Sequence, residues 1–81
     1  MRETPPDAEL LKQRKQLGER IRRLREARGW SQDTLAHLAG LNRAYPHKIE
    51  AGKVDVRYST LVRVAGVLEM TVAELVTFGE S

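Results

Sequence analysis

The apolar residues of the chain recur at the spacing of amphipathic helices, in successive segments separated by glycine or by short polar loops. The longest segment predicts a first helix that runs to about Arg28, with an apolar stripe made of Leu10, Leu17, Ile21 and Leu24. Gly29 should end this helix, and Trp30 is expected to fold back over the helix end. Residues 1–16 carry few apolar side chains, so they are predicted to form a basic helical arm or a partly disordered extension.

Two short helical patterns follow, with one glycine between them. Ser31 is a good N-cap for the first pattern, in which the helical spacing is kept by Leu35, Leu38 and Ala39. Gly40 follows where the chain must turn. Asn42 is predicted to cap a second short helix over residues 42–50, which Ile49 anchors in the core. Two helices joined by a tight turn that contains glycine predict a helix-turn-helix.

Two further helices complete the predicted fold. One covers about residues 58–68, with Gly66 inside it at a cost of about 1 kcal/mol relative to alanine. The other begins with a capping box over residues 71–74. The chain is therefore predicted to be all-α, with a five-helix domain at residues 17–78 and a short tail at 79–81.

Length and charge narrow the classes of partner. A chain of 81 residues forms one small domain, whose stability would gain from dimerisation. The net charge of +3 and the sequence pI of about 9.7 favour a polyanionic partner. Most of the basic side chains crowd the first predicted helix, at Lys12, Arg14, Lys15, Arg20, Arg22, Arg23, Arg25 and Arg28.

The chain contains no cysteine, so neither a disulfide nor a thiolate zinc site is expected. No apolar run approaches the roughly 20 residues that cross a bilayer, and the polar N-terminus lacks a signal-peptide core. We therefore expect a cytoplasmic protein without a membrane partner.

Catalytic chemistry has little support in the sequence. His37 and His47 are the only histidines, and no carboxylate pair lies at a metal-ligand spacing around either. A glycine-rich phosphate loop is also missing. We predict that the protein is not an enzyme and uses neither a metal nor a cofactor.

The order and spacing of several short motifs resemble the helix-turn-helix family typified by the phage Cro and lambda repressors, often called the XRE family. The resemblance rests on residues 17–25, 28–32, 31–50, 49–53, 60–65 and 70–75. Within this family, residues 41–45 and the small size are most similar to controller proteins of restriction–modification systems. The resemblance implies a lambda-repressor-like fold and a transcriptional regulator that binds double-stranded DNA.

In a helix-turn-helix protein the second helix enters the major groove, with its N-terminal residues facing the base edges. The expected base contacts are therefore Arg43, Ala44, His47 and Lys48. Arginine suits guanine, because its forked group matches O6 and N7 together. The expected phosphate contacts, which fix the register of the protein on the duplex, are Gln32, Asn42, Tyr45 and Lys53.

The resemblance also implies an ion pair between Arg25 and Glu50, which would orient the recognition helix on the scaffold. Two positions depart from the family pattern. Pro46 replaces an aliphatic residue. If Asn42 is the cap, Pro46 removes one intrahelical hydrogen bond and pushes Tyr45 out of helical geometry, so a widened or shifted first turn is expected. Glu69 replaces a frequent glycine, so a different turn is expected after the fourth helix.

Family members of this size usually pair through their last helices, so the resemblance implies a homodimer on a palindromic operator. The interface candidates are Val72, Val76 and Phe78. RNA polymerase is an expected partner if the operator places the dimer beside the polymerase on the DNA. Two alternatives stay open: an antitoxin-type or other protein-interaction module built on the same fold, and an RNA-binding domain, although few aromatic residues are available for stacking on bases.

Overall fold

The computed structural model describes residues 6–78, which form five α-helices in one small bundle. The helices are α1 (Pro6–Ala27), α2 (Gln32–Ala39), α3 (Tyr45–Glu50), α4 (Tyr58–Val67) and α5 (Val72–Leu75). The predicted all-α, five-helix fold is confirmed. α1 runs without a break through the predicted boundary between residues 16 and 17, and that boundary stays a prediction. The predicted tail at 79–81 and the first five residues lie outside the described part of the chain.

The core is built from one side of each helix. Its buried members are Leu17, Ile21, Leu35, Ala39, Ile49, Val64, Ala65, Leu68 and Leu75. Leu24 and Trp30 pack against this cluster, which confirms that Trp30 folds back over the end of α1. Leu10, the first member of the predicted apolar stripe, is exposed beside an open groove bordered by Val56 and Val76, so the stripe enters the core only from Leu17 onward. Leu38 is also exposed, since it faces a shallow surface between α2 and α4 rather than the core.

The ends of α1, α2, α3 and α4 share one hydrogen-bond pattern. In each, a residue with positive φ donates to the carbonyl three residues earlier, and the next residue donates to the carbonyl five residues earlier. These residues are Gly29, Gly40, Gly52 and Glu69. Glu69 adopts φ 60°, so the expectation of a different turn after α4 was wrong. The chain keeps the left-handed cap there and places a side chain in a conformation that favours glycine.

Glycine has a second role where α1 crosses α3. A methyl group added to Gly18 would lie against the carbonyl oxygen of Ile49 and 2.8 Å from the carbonyl oxygen of Glu50. The absence of a side chain at this position therefore lets the last turn of α3 pack directly on the backbone of α1.

Arg20 of α1 and Arg28, which directly follows α1, contact the ends of other helices. Arg20 donates to the carbonyl oxygens of Glu74 and Leu75 at 2.8 and 2.9 Å, at the end of α5. Arg28 donates to the carbonyl oxygen of Leu68 at 2.6 Å, and its guanidinium lies 5.6 Å from the centre of the Trp30 ring. Part of the basic charge on α1 and directly after it thus caps helices inside the domain.

Candidate nucleic-acid interface

α2, the turn after it and α3 form the predicted helix-turn-helix. The Ser31 hydroxyl accepts a hydrogen bond from the Thr34 backbone N–H at 3.0 Å and caps α2. Gly40 has φ 68°, and the next residue, Leu41, donates to the Ala36 carbonyl at 2.8 Å. This turn fixes the direction in which the chain leaves α2 and approaches α3.

α3 begins three residues later than predicted. The Asn42 side-chain oxygen accepts from the Ala44 N–H at 2.9 Å, and the Asn42 carbonyl accepts from the Tyr45 N–H at 3.0 Å. These bonds form a tight turn before the helix, and Ala44 takes the N-cap position. The prediction of a helix over 42–50 capped by Asn42 was therefore wrong at its start, because asparagine closed a local turn instead. Arg43 and Ala44 lie in this turn.

The later start agrees with the shifted first turn expected at Pro46, but it changes the effect of the proline. It is the second residue of α3, where an N–H has no intrahelical acceptor, so no hydrogen bond is lost. Its ring is fully buried and supplies an apolar contact to the domain interior. Tyr45 is the first helical residue, so the expectation that proline would push it out of the helix was wrong.

The far end of α3 is held by a buried polar network. Arg25 donates to both carboxylate oxygens of Glu50, from Nε at 2.7 Å and from Nη2 at 2.9 Å. Only 10% of the Arg25 side chain and 4% of the Glu50 side chain are exposed. Gln32 also donates to Glu50 at 3.0 Å, and Arg25 Nη1 donates to the Trp30 carbonyl at 2.7 Å. One carboxylate therefore joins α1, the first residue of α2 and the last residue of α3.

Arg25 stays protonated in this network. The hydrogen bond with Glu50 is the largest cause that raises the pKa of Arg25, although burial acts in the opposite direction. Buried ion pairs contribute little net stability, because desolvation of the charges offsets their attraction. The Arg25–Glu50 pair matters more for geometry than for stability, since a pair with two hydrogen bonds allows little rotation of α3 against α1.

Arg43 has a partner that the sequence did not reveal. Its guanidinium donates to Asp33 near the start of α2, from Nε at 3.2 Å, and its Nη2 lies 3.1 Å from the other carboxylate oxygen. The Arg43 side chain is still 84% exposed. A pair this exposed contributes little stability, but it biases where the guanidinium points.

The other predicted DNA contacts fall into two groups. Ala44, His47, Lys48 and Lys53 are exposed, on α3 or immediately before and after it. Asn42 and Tyr45 are more engaged within the domain, since the Asn42 oxygen closes the turn and Tyr45 packs partly against the core. Gln32 belongs to both groups. Its amide donates to Glu50 within the domain, and the residue also lines a cleft bordered by Arg22 and His47.

The three residues proposed for the dimer interface differ in exposure. Val72 and Phe78 pack partly against the core, whereas Val76 is 38% exposed. Val76 is therefore the member of this group whose side chain is most available to a second copy.

The family resemblance implies that Gln32 braces the recognition helix, but sequence reasoning missed Glu50 as its partner, as well as Asp33 as the partner of Arg43 and the close contact at Gly18. The first two join residues on different elements, and nothing in the local pattern marks such pairs. A small residue within a long helix was the available signal for the third.

The potential metal ligands and the helix lengths also bear on function. Within residues 6–78, no group of three or more potential ligand side chains could hold a metal ion. None of the helices in that range has the length and apolar character to cross a membrane.

Comparison with known proteins agrees with this geometry. A family model described as a helix-turn-helix domain matches residues 16–78. The control protein C.SmaI of Serratia marcescens is 36% identical over 61 residues, which cover 75% of this chain and 73% of that protein.

Solved structures show the same fold. The restriction-modification controller protein C.AhdI from Aeromonas hydrophila is 39% identical, with a TM-score of 0.74 over 76% of this chain and 94% of that chain. The hypothetical transcription factor NHTF from Neisseria is 28% identical, with a TM-score of 0.78 over 98% of this chain and 87% of that chain. These proteins are regulators rather than enzymes. The chain belongs to the XRE-type helix-turn-helix family of DNA-binding transcriptional regulators.

Proposed function

We propose that this chain is a controller-type regulator that binds a palindromic operator as a homodimer, with α3 in the major groove. Its two relatives named as control or controller proteins support this class within the family. A two-fold dimer would place its recognition helices about 34 Å apart, one turn of DNA. A cytoplasmic location stays a prediction.

The observation that carries the proposal is the buried Arg25–Glu50–Gln32 network. A helix that only supported the core would need no two-point attachment at its end. A helix that reads bases must be held in one orientation, since its side chains must meet base edges within hydrogen-bond distance. The network gives α3 this orientation and leaves His47 and Lys48 exposed.

The turn before α3 supplies the other half of the reading surface. Arg43 is held by Asp33 on the exposed side of α2, and Ala44 follows it at the N-cap position of α3. We propose that the Arg43 fork binds guanine and that the Ala44 methyl contacts thymine. Gln32 and Lys53 are proposed to bind the phosphates on either side.

The distribution of aromatic residues favours duplex DNA over RNA. Trp30, Tyr45 and Phe78 each pack partly against the core, and Tyr58 is the one aromatic side chain left exposed in the described part of the chain. Single-stranded RNA is usually bound by several aromatic side chains that stack on splayed bases. One exposed tyrosine provides no such surface.

Selection of binding sites from random duplex DNA tests the proposal. We expect a two-fold symmetric consensus with half-sites about 10 base pairs apart. The recovered operator should then be placed upstream of a reporter, since an operator that overlaps a promoter gives repression and one beside RNA polymerase gives activation. Recovery of unrelated sequences without a shared motif would contradict the proposal and favour the protein-interaction alternative.

A further inference from the structure

Two basic side chains of α1 lie beside α3, although α1 is not part of the helix-turn-helix. We call Lys15 and Arg22 the α1 strip. They are seven residues apart, so they lie about 10.5 Å apart along the helix axis and on nearly the same side of it. At about 100° per residue, both fall within about 60° of Gly18, which marks the side of α1 that touches α3.

Contacts place each member of the strip against the end of the recognition helix. A methyl group added to Gly52, which follows α3, would stand 2.8 Å from Lys15 Cγ and 3.1 Å from Lys15 Cα. Lys15 is therefore packed at the residue that precedes Lys53. Arg22 borders a cleft together with Gln32, His47 and Ala51. The strip thus lies next to the proposed base contacts of α3 and the proposed phosphate contacts on either side.

The charge of the strip is available to a ligand. Among residues 6–78, Lys15 forms no ion pair with a carboxylate. Arg22 meets Glu26 at 3.4 Å through Nε alone, and both side chains are more than half exposed. The other acid on this side, Glu19, lies 3.6 Å from Arg23. Neither carboxylate forms an ion pair with Lys15, and only Glu26 contacts Arg22.

We propose that Lys15 and Arg22 bind backbone phosphates of the DNA whose bases α3 reads. The strip would extend the DNA contact surface from the helix-turn-helix to α1. Seating α3 in the major groove brings the surfaces on its flanks close to the bordering strands, and lysine and arginine are the usual phosphate partners there. This inference rests on the proposed function and adds a sequence-independent contact to it.

The test compares two double variants with equal loss of charge. Lys15→Gln/Arg22→Gln removes the strip, and Lys12→Gln/Arg23→Gln removes one lysine and one arginine from the adjoining side of the same helix, farther from Gly18. Lys12 and Arg23 border clefts shared with Phe78 instead of α3. All four side chains are exposed, so both variants should fold, which circular dichroism checks.

Binding to operator and scrambled duplexes is measured across a salt series. Loss of the strip should weaken both duplexes by the same factor and reduce the slope of log K against log salt by about two units per subunit. The control variant should change the slope much less. Ethylation interference should show two phosphates per half-site that matter to the wild type and no longer matter to the strip variant.

Equal slopes for the two variants, or an unchanged ethylation pattern, would overturn the inference while leaving operator selection intact. Failure of the proposed function looks different. The wild type would then show no preference for any sequence, and the slope difference on random DNA would still report whether the strip binds phosphate.

Discussion

Gly18 of α1 packs so closely on the end of α3 that a methyl group added to it would stand 2.8 Å from the Glu50 carbonyl oxygen. The same glutamate holds Arg25 through its side chain. α3 is therefore positioned from one side by backbone contact and by a buried ion pair. Each constraint can be tested separately.

Gly18→Ala should destabilise the domain by about 1–3 kcal/mol, because the atoms it would strike belong to the backbone of α3 and cannot rotate away. Denaturant unfolding measures the change. Gly66→Ala is the matched control, since a methyl group there meets no atom within 4 Å and should instead gain up to about 1 kcal/mol. Unchanged stability in Gly18→Ala would show that the two helices do not approach this closely.

Glu69→Gly should stabilise the domain by about 1 kcal/mol. Glu69 has φ 60°, a conformation that is unfavourable for residues with a Cβ atom, and glycine removes this strain at some cost in unfolded-state entropy. Glu69→Ala keeps the Cβ atom and should gain nothing. The comparison is made by thermal or denaturant unfolding, and equal stabilities for the glycine and alanine variants would argue against strain at this cap.

The Arg25–Glu50 pair should behave as a unit in a double-mutant cycle. Arg25→Ala, Glu50→Ala and the double variant are measured for stability and for operator affinity. Each single change leaves a buried charge without its partner, so the double variant should lose less than the sum of the two, with a coupling energy of about 0.5–3 kcal/mol. Strict additivity would mean that the two residues act independently.

Val76→Asp should weaken the proposed dimer. Val76 is 38% exposed, whereas Phe78 packs against the core, so a change at Phe78 would mix folding with assembly. Val62→Asp on α4 is the control, because Val62 is 49% exposed and receives the same chemical change. Light scattering at micromolar concentration should show a monomer for Val76→Asp and a dimer for Val62→Asp. A dimer in both variants would move the interface to another surface.

The sequence predicted the helices whose caps are encoded locally. Ser31 and the Thr71–Glu74 capping box mark their helix starts, and glycine marks three of the helix ends. The start of α3 was missed because Asn42 has two local options, an N-cap or a tight turn, and only the packing of Pro46 in the interior decides between them.

Pairs of residues that are distant in the sequence could be predicted only where the family resemblance implied them. The resemblance implied that Arg25 would pair with Glu50, and the two side chains do lie together. Arg43 and Asp33, ten residues apart, meet because the turn after α2 brings the chain back over the start of that helix. Charge patterns along the sequence contain no information about that return, so the structure was needed to find it.

One binding experiment tests the central claim most directly. The claim is that Arg43, in the turn before α3, contacts bases, whereas Lys53, in the loop after α3, binds phosphate. Arg43→Ala and Lys53→Ala are each measured on operator and scrambled duplexes across a salt series. Arg43→Ala should lose about 1–3 kcal/mol on the operator, relax the preference at one base pair per half-site, and change much less on scrambled DNA. Lys53→Ala should weaken both duplexes alike and lower the salt slope by about one unit per subunit. Equal losses on both duplexes for Arg43→Ala would contradict the claim.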